Sequence, residues 1–165
     1  MRICAAVEIA APIDAVWELV ADQTRYVHFM AGMTRWEVVG NAEGGLGTRI
    51  RMLMRVPSAE VGGLIEIVEW EPSREMAWTS ITGVDQHGRW RLRERADGAG
   101  ASTHVELRLS YGIAGSGLWG WVAEHVAAPI VRGNLRRSLH QLKRQVEHEQ
   151  LRRRAARRRA RTAAG

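Results

Sequence analysis

The sequence predicts an α+β domain in which a curved, seven-stranded antiparallel sheet wraps around one long C-terminal helix, with two short helices after the first strand. Three observations carry that prediction. Apolar and polar residues alternate in segment after segment between residues 2 and 111, the period-2 signature of half-buried strands. Nearly all of these segments are joined by connections of hairpin length, so neighbouring strands run antiparallel. From Leu118 to about Gln150 the apolar spacing changes to three or four, which draws one stripe along roughly eight turns of helix.

In the first strand, residues 2–10, Ile3, Ala5, Val7 and Ile9 share one face and Arg2 and Glu8 the other. Cys4 falls in this stretch and reads as an inert strand residue. The chain turns at Pro12, which suits a first helical turn, and Ile13, Val16, Trp17 and Val20 recur at helical spacing as far as Ala21. Asp22 to Met33, with Tyr26, His28, Phe29 and Met30, reads as a second short helix or an aromatic loop that Gly32 stops. Trp36 to Val39 is strand-like, and Asn41 to Gly47, with three glycines, is a hairpin connection.

The clearest alternation follows: Ile50, Met52, Met54 and Val56 face one way, Arg49, Arg51 and Arg55 the other. Pro57-Ser58 makes a turn, and Glu60 to Trp70 forms a strand in which Gly62-Gly63 is expected to be a bulge or bend. Pro72-Ser73 turns again before Met76 to Thr82, a strand carrying Trp78. Gly83 to Gly88 is polar enough for a hairpin loop. Trp90 and Leu92 then alternate with Arg89, Arg91 and Arg93, Asp97-Gly98 to Ser102 turns the chain, and Val105, Leu107, Leu109 and Tyr111 alternate with His104, Glu106, Arg108 and Ser110. Gly115 to Gly117 breaks the pattern. The helical stripe runs through Leu118, Val122, Val126 and Ile130, then Leu135, Leu139, Leu142 and Val146, and Pro129 is expected to kink it.

The formal charge of +6 belongs to the end of the chain. Seven of the 24 basic residues are arginines between Arg152 and Arg161, which leaves 17 basic against 18 acidic residues in 1–150. The expected organisation is therefore a nearly neutral folded domain, residues 1–150, and an Arg-rich tail, residues 151–165, that is disordered or a frayed helix extension. A solvated end and a weak contact with anionic membrane or nucleic acid are both open to such a tail. One cysteine excludes an internal disulfide, and neither cysteines nor histidines cluster as zinc ligands do, so no metal and no cofactor is expected. The N-terminus lacks a signal peptide's charged-then-apolar order and no apolar run reaches the length of a membrane span, so a cytoplasmic protein is expected.

A meandering sheet with one apolar face must bury it, and the long helix is the only sizeable apolar object left to cover it. A curled sheet and one helix fill their enclosed volume poorly near the open end, where the short helices form a lid. A cavity there is the natural place for a ligand.

At this point the sequence resembles the START-like, or SRPBCC, superfamily, and within it the polyketide cyclase/dehydrase and lipid-transport group. Ala11-Pro12-Ile13-Asp14-Ala15-Val16-Trp17-Glu18-Leu19-Val20-Ala21-Asp22 is similar to the family's first helix. Met76-Ala77-Trp78-Thr79-Ser80 followed by Gly83 and Gly88, the Thr103 to Tyr111 strand, and the last helix with Leu139-His140-Gln141-Leu142-Lys143 are similar too. The likeness spans about residues 2–150 and implies the helix-grip fold. It implies no catalytic signature, since the shared motifs are structural.

The site candidates are drawn from both sources. Met52, Met54, Trp78 and Trp90 on inward strand faces are pocket lining or plain core, and Trp36 leans to core; methionine adapts to irregular space and tryptophan supplies apolar area under either reading. Tyr26, His28, Phe29 and Met30 sit where the resemblance implies a lid over the cavity mouth. Of Trp119 and Trp121 at the start of the long helix, one lines the mouth and the other is exposed, since residues so spaced cannot share a face. Val122 lies on the stripe and His125 near its edge. The only plausible proton carriers are His125, His28, Tyr26 and Tyr111, and no Ser-His-Asp order or glycine-rich phosphate loop accompanies them. The leading expectation is thus binding or carrying of an apolar small molecule: a lipid, quinone or polyketide-like aromatic. A polyketide aromatase/cyclase using His125 or Tyr26 is the alternative. A third reading is an interaction protein whose basic tail meets RNA, ribosome or anionic membrane.

Overall fold

The chain begins with β1 (Arg2–Ile9), α1 (Ile13–Ala21), a short 3-10 turn (Gln23–Arg25) and α2 (Tyr26–Phe29). Six strands follow: β2 (Met33–Val39), β3 (Arg49–Val56), β4 (Ala59–Glu71), β5 (Glu75–Gly83), β6 (Asp85–Asp97) and β7 (Gly100–Gly112). Helix α3 (Leu118–Ala163) completes the chain. The structure, a computed structural model, describes residues 1–40, 44–56, 59–97, 100–112 and 118–163; of residues 118–128 and of Val56, Ala59, Ala96 and Asp97 it describes the backbone alone. The expected Pro57-Ser58 turn, the Gly115 to Gly117 break and part of the Asn41 to Gly47 connection lie outside these residues.

The strands form one seven-stranded sheet in the order β1-β7-β6-β5-β4-β3-β2. Every pairing is antiparallel, so β2 to β7 make a continuous meander that β1 extends by pairing with β7, Ile3 opposite Leu109 and Val7 opposite Val105. The sheet curls and α3 lies in its concave side, which is the helix-grip arrangement. Inward residues of the strands, among them Ile3, Ile9, Ile50, Ile65, Trp90, Leu92, Val105 and Leu107, are almost wholly buried. They meet Val131, Leu135, Leu139, Leu142 and Val146 of α3. Fully burying one such side chain is worth about 1.5–3 kcal/mol, so this seam is the main source of stability.

Three local expectations change. Gly83 to Gly88 is not a loop: β6 begins at Asp85, and the hairpin is a tight one around Val84. Its polar residues are the outward half of a strand, with Gln86 alone turned inward. Gly62 and Gly63 hold regular register with β3, while the shifts fall beyond them, passing over Ile81 of β5 and Val68 of β4. The glycines instead allow close crossing, because a Cβ on Gly62 or Gly63 would stand 2.1 or 1.9 Å from the carbonyl oxygen of Met52 or Thr82. The turn expected from Asp97 to Ser102 is shorter, since β7 already begins at Gly100.

Helix α3 runs through the tail to Ala163, with Pro129 inside it. Arginine and alanine are good helix formers, and no glycine or proline interrupts residues 151–163. Its last deeply buried residue is Val146, whereas Leu151 is 63% exposed. In the described part of the stripe Ile130 is half-buried and Val131 takes the inward position.

Candidate functional site

The short helices are fixed from below by rings. Tyr26 and Phe29 have no exposed surface. Tyr26 stacks on Trp36 at 4.3 Å between centroids, and Phe29 meets the edge of Trp90 at 6.3 Å. The Tyr26 hydroxyl donates to the Val20 carbonyl at 2.8 Å. Burial pushes this phenol far above the ordinary tyrosine pKa, so it stays protonated in the folded protein. Gln23, 5% exposed, accepts from the Trp36 indole N–H at 3.3 Å and donates to the Ala21 carbonyl at 3.2 Å.

Beside this ring cluster the packing loosens. Met30, Met33, Met52 and Met54 gather with Trp36, Trp78, Leu107, Leu109 and Leu135 around a cavity between sheet and α3. The cavity has room for about 20 Å³, the space of one water molecule. Gln86 brings the one amide to its wall, with Nε2 2.7 Å from Met52 Sδ. Gly88 explains how Trp78 fits here, since a Cβ at that position would stand 1.9 Å from the Trp78 ring. The Trp78 indole N–H is buried and has no hydrogen-bond partner among the described residues.

The loop after α2 is tied to α3 at the same level. The Ala31 N–H donates to Ser138 Oγ at 2.9 Å, and that hydroxyl donates to the Asn134 carbonyl at 2.8 Å. Ser138 and Asn134 are buried polar residues one turn apart on α3, on either side of Leu135. They anchor the segment that carries Met30 and Met33.

Of the residues singled out from the sequence, Met30, Met52, Met54 and Trp78 are brought together at the cavity, joined by Trp36. Tyr26, Phe29 and Trp90 lie in the adjoining ring-packed core. His28 is exposed, and its backbone carbonyl accepts from Gln145 at 3.2 Å. Tyr111 is buried at the end of β7 beside Met1. The side chains of Trp119, Trp121, Val122 and His125 lie outside the described residues. Met33, Gln86, Leu107, Leu109 and Leu135 also line the wall; Gln86 was hidden by its polar neighbours, although it is in phase with Gly88, Trp90 and Leu92.

A broader, open depression of about 360 Å³ lies on the outer face of the sheet, among Arg2, His87, Arg89, Arg91 and Arg108. Three of these arginines are engaged by carboxylates: Arg89 by Glu75 and Glu69, Arg91 by Glu75, Arg108 by Glu106. Burial opposes the charge on Glu75, but Arg91 and Arg89 outweigh it and lower its pKa. The depression is therefore a neutralised outer surface, and the cavity against α3 is the candidate site. Among the described residues no group of histidines, cysteines and carboxylates is placed to hold a metal. Nor is any helix among them long and apolar enough to cross a membrane.

The model of a family described as polyketide cyclase/dehydrase and lipid transport matches residues 2–147. No curated protein matches the chain in sequence. Among solved structures, protein TTHA0849 from Thermus thermophilus is similar with a TM-score of 0.74 and 22% identity, over 88% of this chain and 97% of that one. The Zhui aromatase/cyclase from Streptomyces sp. R1128 is similar with a TM-score of 0.73 and 20% identity, over 89% of this chain and 93% of that one. The di-domain aromatase/cyclase StfQ of the steffimycin pathway is similar over 92% of this chain and 47% of its own length, with a TM-score of 0.64 and 19% identity. At these identities the likeness is one of fold.

Proposed function

We propose that this chain, which belongs to the polyketide cyclase/dehydrase and lipid transport family, binds or carries an apolar small molecule in the cavity between its sheet and α3. The observation that carries this reading is the methionine wall: Met30, Met33, Met52 and Met54 converge there on Trp36 and Trp78. Methionine is unbranched and polarisable, so its side chain shifts among rotamers at little cost. Room for about 20 Å³ is far below the several hundred Å³ of a ligand pocket. Binding therefore works by displacement, with the methionines swinging aside and the α2 loop easing off Ser138. A lipid tail, a quinone or a fused aromatic ring suits such a wall, and the Gln86 amide and Trp78 N–H give it two polar groups.

Native mass spectrometry of freshly purified protein tests this reading. The expected result is a co-purifying apolar molecule that dissociates on unfolding. A ligand-free chain that takes up neither a fatty acid, a quinone nor an aromatic polyketide mimic overturns it.

A cyclase-type activity has narrower support. Cyclisation or dehydration needs a positioned proton carrier, and the described cavity wall contains neither carboxylate nor histidine. The fold-level likeness to two aromatase/cyclases favours it, and His125, whose side chain lies outside the described residues, is with Tyr26 the candidate proton carrier. Loss of turnover on a polyketone mimic in His125→Ala, with ligand uptake retained, is its signature.

A further inference from the structure

We propose that the end of α3, residues 151–163, is a docking helix for the major groove of double-stranded DNA. This segment is helical and exposed along its whole length. It holds seven arginines and no acid, while residues 1–150 carry 17 basic and 18 acidic residues, so the protein's positive charge is gathered in one projecting rod. Arg153 meets Glu18 of α1 at 2.7 Å and fixes the base of the rod to the body. The other six arginines have no ion-pair partner among the described residues.

The placement of those charges around the helix selects the partner. At about 100° per residue, Arg153, Arg157 and Arg161 form one row and Arg154 and Arg158 the next, while Arg152 and Arg159 stand on the opposite side. A flat anionic surface would meet one side of the rod and leave the others unpaired. A bilayer-bound helix also needs bulky apolar residues to insert, whereas here the remaining positions are Ala155, Ala156, Ala160, Thr162 and Ala163, with Leu151 alone at the base. A groove walled by phosphates on both sides engages both sets of arginines. A helix is about 10–12 Å across with its side chains, and the B-form major groove is about 12 Å wide, while the A-form major groove is deep and narrow. From Arg152 to Ala163 the rod is about 16 Å long, enough to follow about five base-pair steps.

Arginine contacts to phosphate carry little sequence information, so binding is expected to be non-specific and steeply salt-dependent. Six phosphate contacts give a slope of about −5 in log affinity against log salt, a loss of about a thousandfold between 50 and 200 mM.

The test uses the full chain and a short mixed-sequence DNA duplex, followed by fluorescence anisotropy at those two salt concentrations. Duplex RNA of the same sequence and phosphatidylcholine–phosphatidylglycerol vesicles at matched negative charge are run in parallel. The expected result is tightest binding to the DNA duplex, with the slope above. The quadruple variant Arg154→Gln, Arg157→Gln, Arg158→Gln and Arg161→Gln should weaken binding at least a hundredfold at 50 mM salt without moving the melting temperature, since glutamine preserves helix propensity. Absence of binding at 50 mM, an unaffected quadruple variant, or equal or tighter binding to RNA or vesicles would each overturn the assignment. None of these outcomes bears on the ligand cavity.

Discussion

The ring cluster beneath α2 and the methionine cluster beside it are built from similarly large apolar residues but are held in different ways. Tyr26, Phe29, Trp36 and Trp90 interlock through stacked and edge-on rings, and the Tyr26 hydroxyl and the Trp36 indole each find a partner. Each ring has few rotatable bonds, so the cluster has one arrangement. Met30, Met33, Met52 and Met54 are unbranched side chains that line a cavity with Trp36 and Trp78. On the proposed reading, the difference separates a part of the interior that holds the short helices in place from a part that opens to a ligand. Both sit on the same sheet face, and Trp36 is common to both.

Mutations should break the two clusters unequally. Trp90→Ala, in the rigid one, is expected to cost about 3–5 kcal/mol, because a large cavity is left among rings that cannot collapse into it. Urea unfolding of the variant checks this, and a cost near 1 kcal/mol would mean that the ring cluster is as adaptable as the methionines.

Tyr26→Phe removes one buried hydrogen bond and is expected to cost about 0.5–1.5 kcal/mol. It carries a second readout in alkali. The folded-state pKa of Tyr26 is raised above the unfolded value, so its contribution is whole below about pH 10 and is lost as pH rises beyond it, when the unfolded chain ionises and the folded one does not. The parent should therefore lose stability above about pH 10 more steeply than Tyr26→Phe. Ultraviolet titration should show Tyr26 ionising only as the protein unfolds.

In the adaptable cluster Met54→Leu is the mildest change. A swap of near-equal volume is expected to stay below about 1 kcal/mol, within the range for such replacements. Thermal unfolding that drops as far as in Trp90→Ala would show that methionine flexibility plays no part there.

Much of this architecture was legible in the sequence for definite reasons. Helix α1 is bounded at Ile13 and Ala21 as the spacing of Val16, Trp17 and Val20 indicates, and the alternation of Ile50, Met52 and Met54 gives the inward face of β3. The short loop between β5 and β6 was not legible, because a strand whose outer half is Asp85, His87 and Arg89 and whose inner half begins with Gln86 and Gly88 looks polar throughout. The assignment of rings to core or cavity was less legible still. Trp78 and Trp90 share the same inward phase on neighbouring strands, and what divides them is a neighbour in space: Gly88 gives Trp78 its place at the cavity, while Phe29 closes over Trp90. Buried Ser138 belongs with these, since the Ala31 N–H reaches its hydroxyl only where α3 meets the loop after α2.

The central claim is that an apolar molecule enters at the methionine cluster, and titration of an apolar fluorescent probe followed by tryptophan quenching tests it most directly. The parent is expected to show saturable binding in the micromolar range, about 8 kcal/mol. Met54→Trp should occupy the space and weaken the probe at least tenfold, while Tyr26→Phe, in the neighbouring ring cluster, should leave its affinity unchanged. No saturable binding by the parent, or equal affinity in Met54→Trp, would contradict the account.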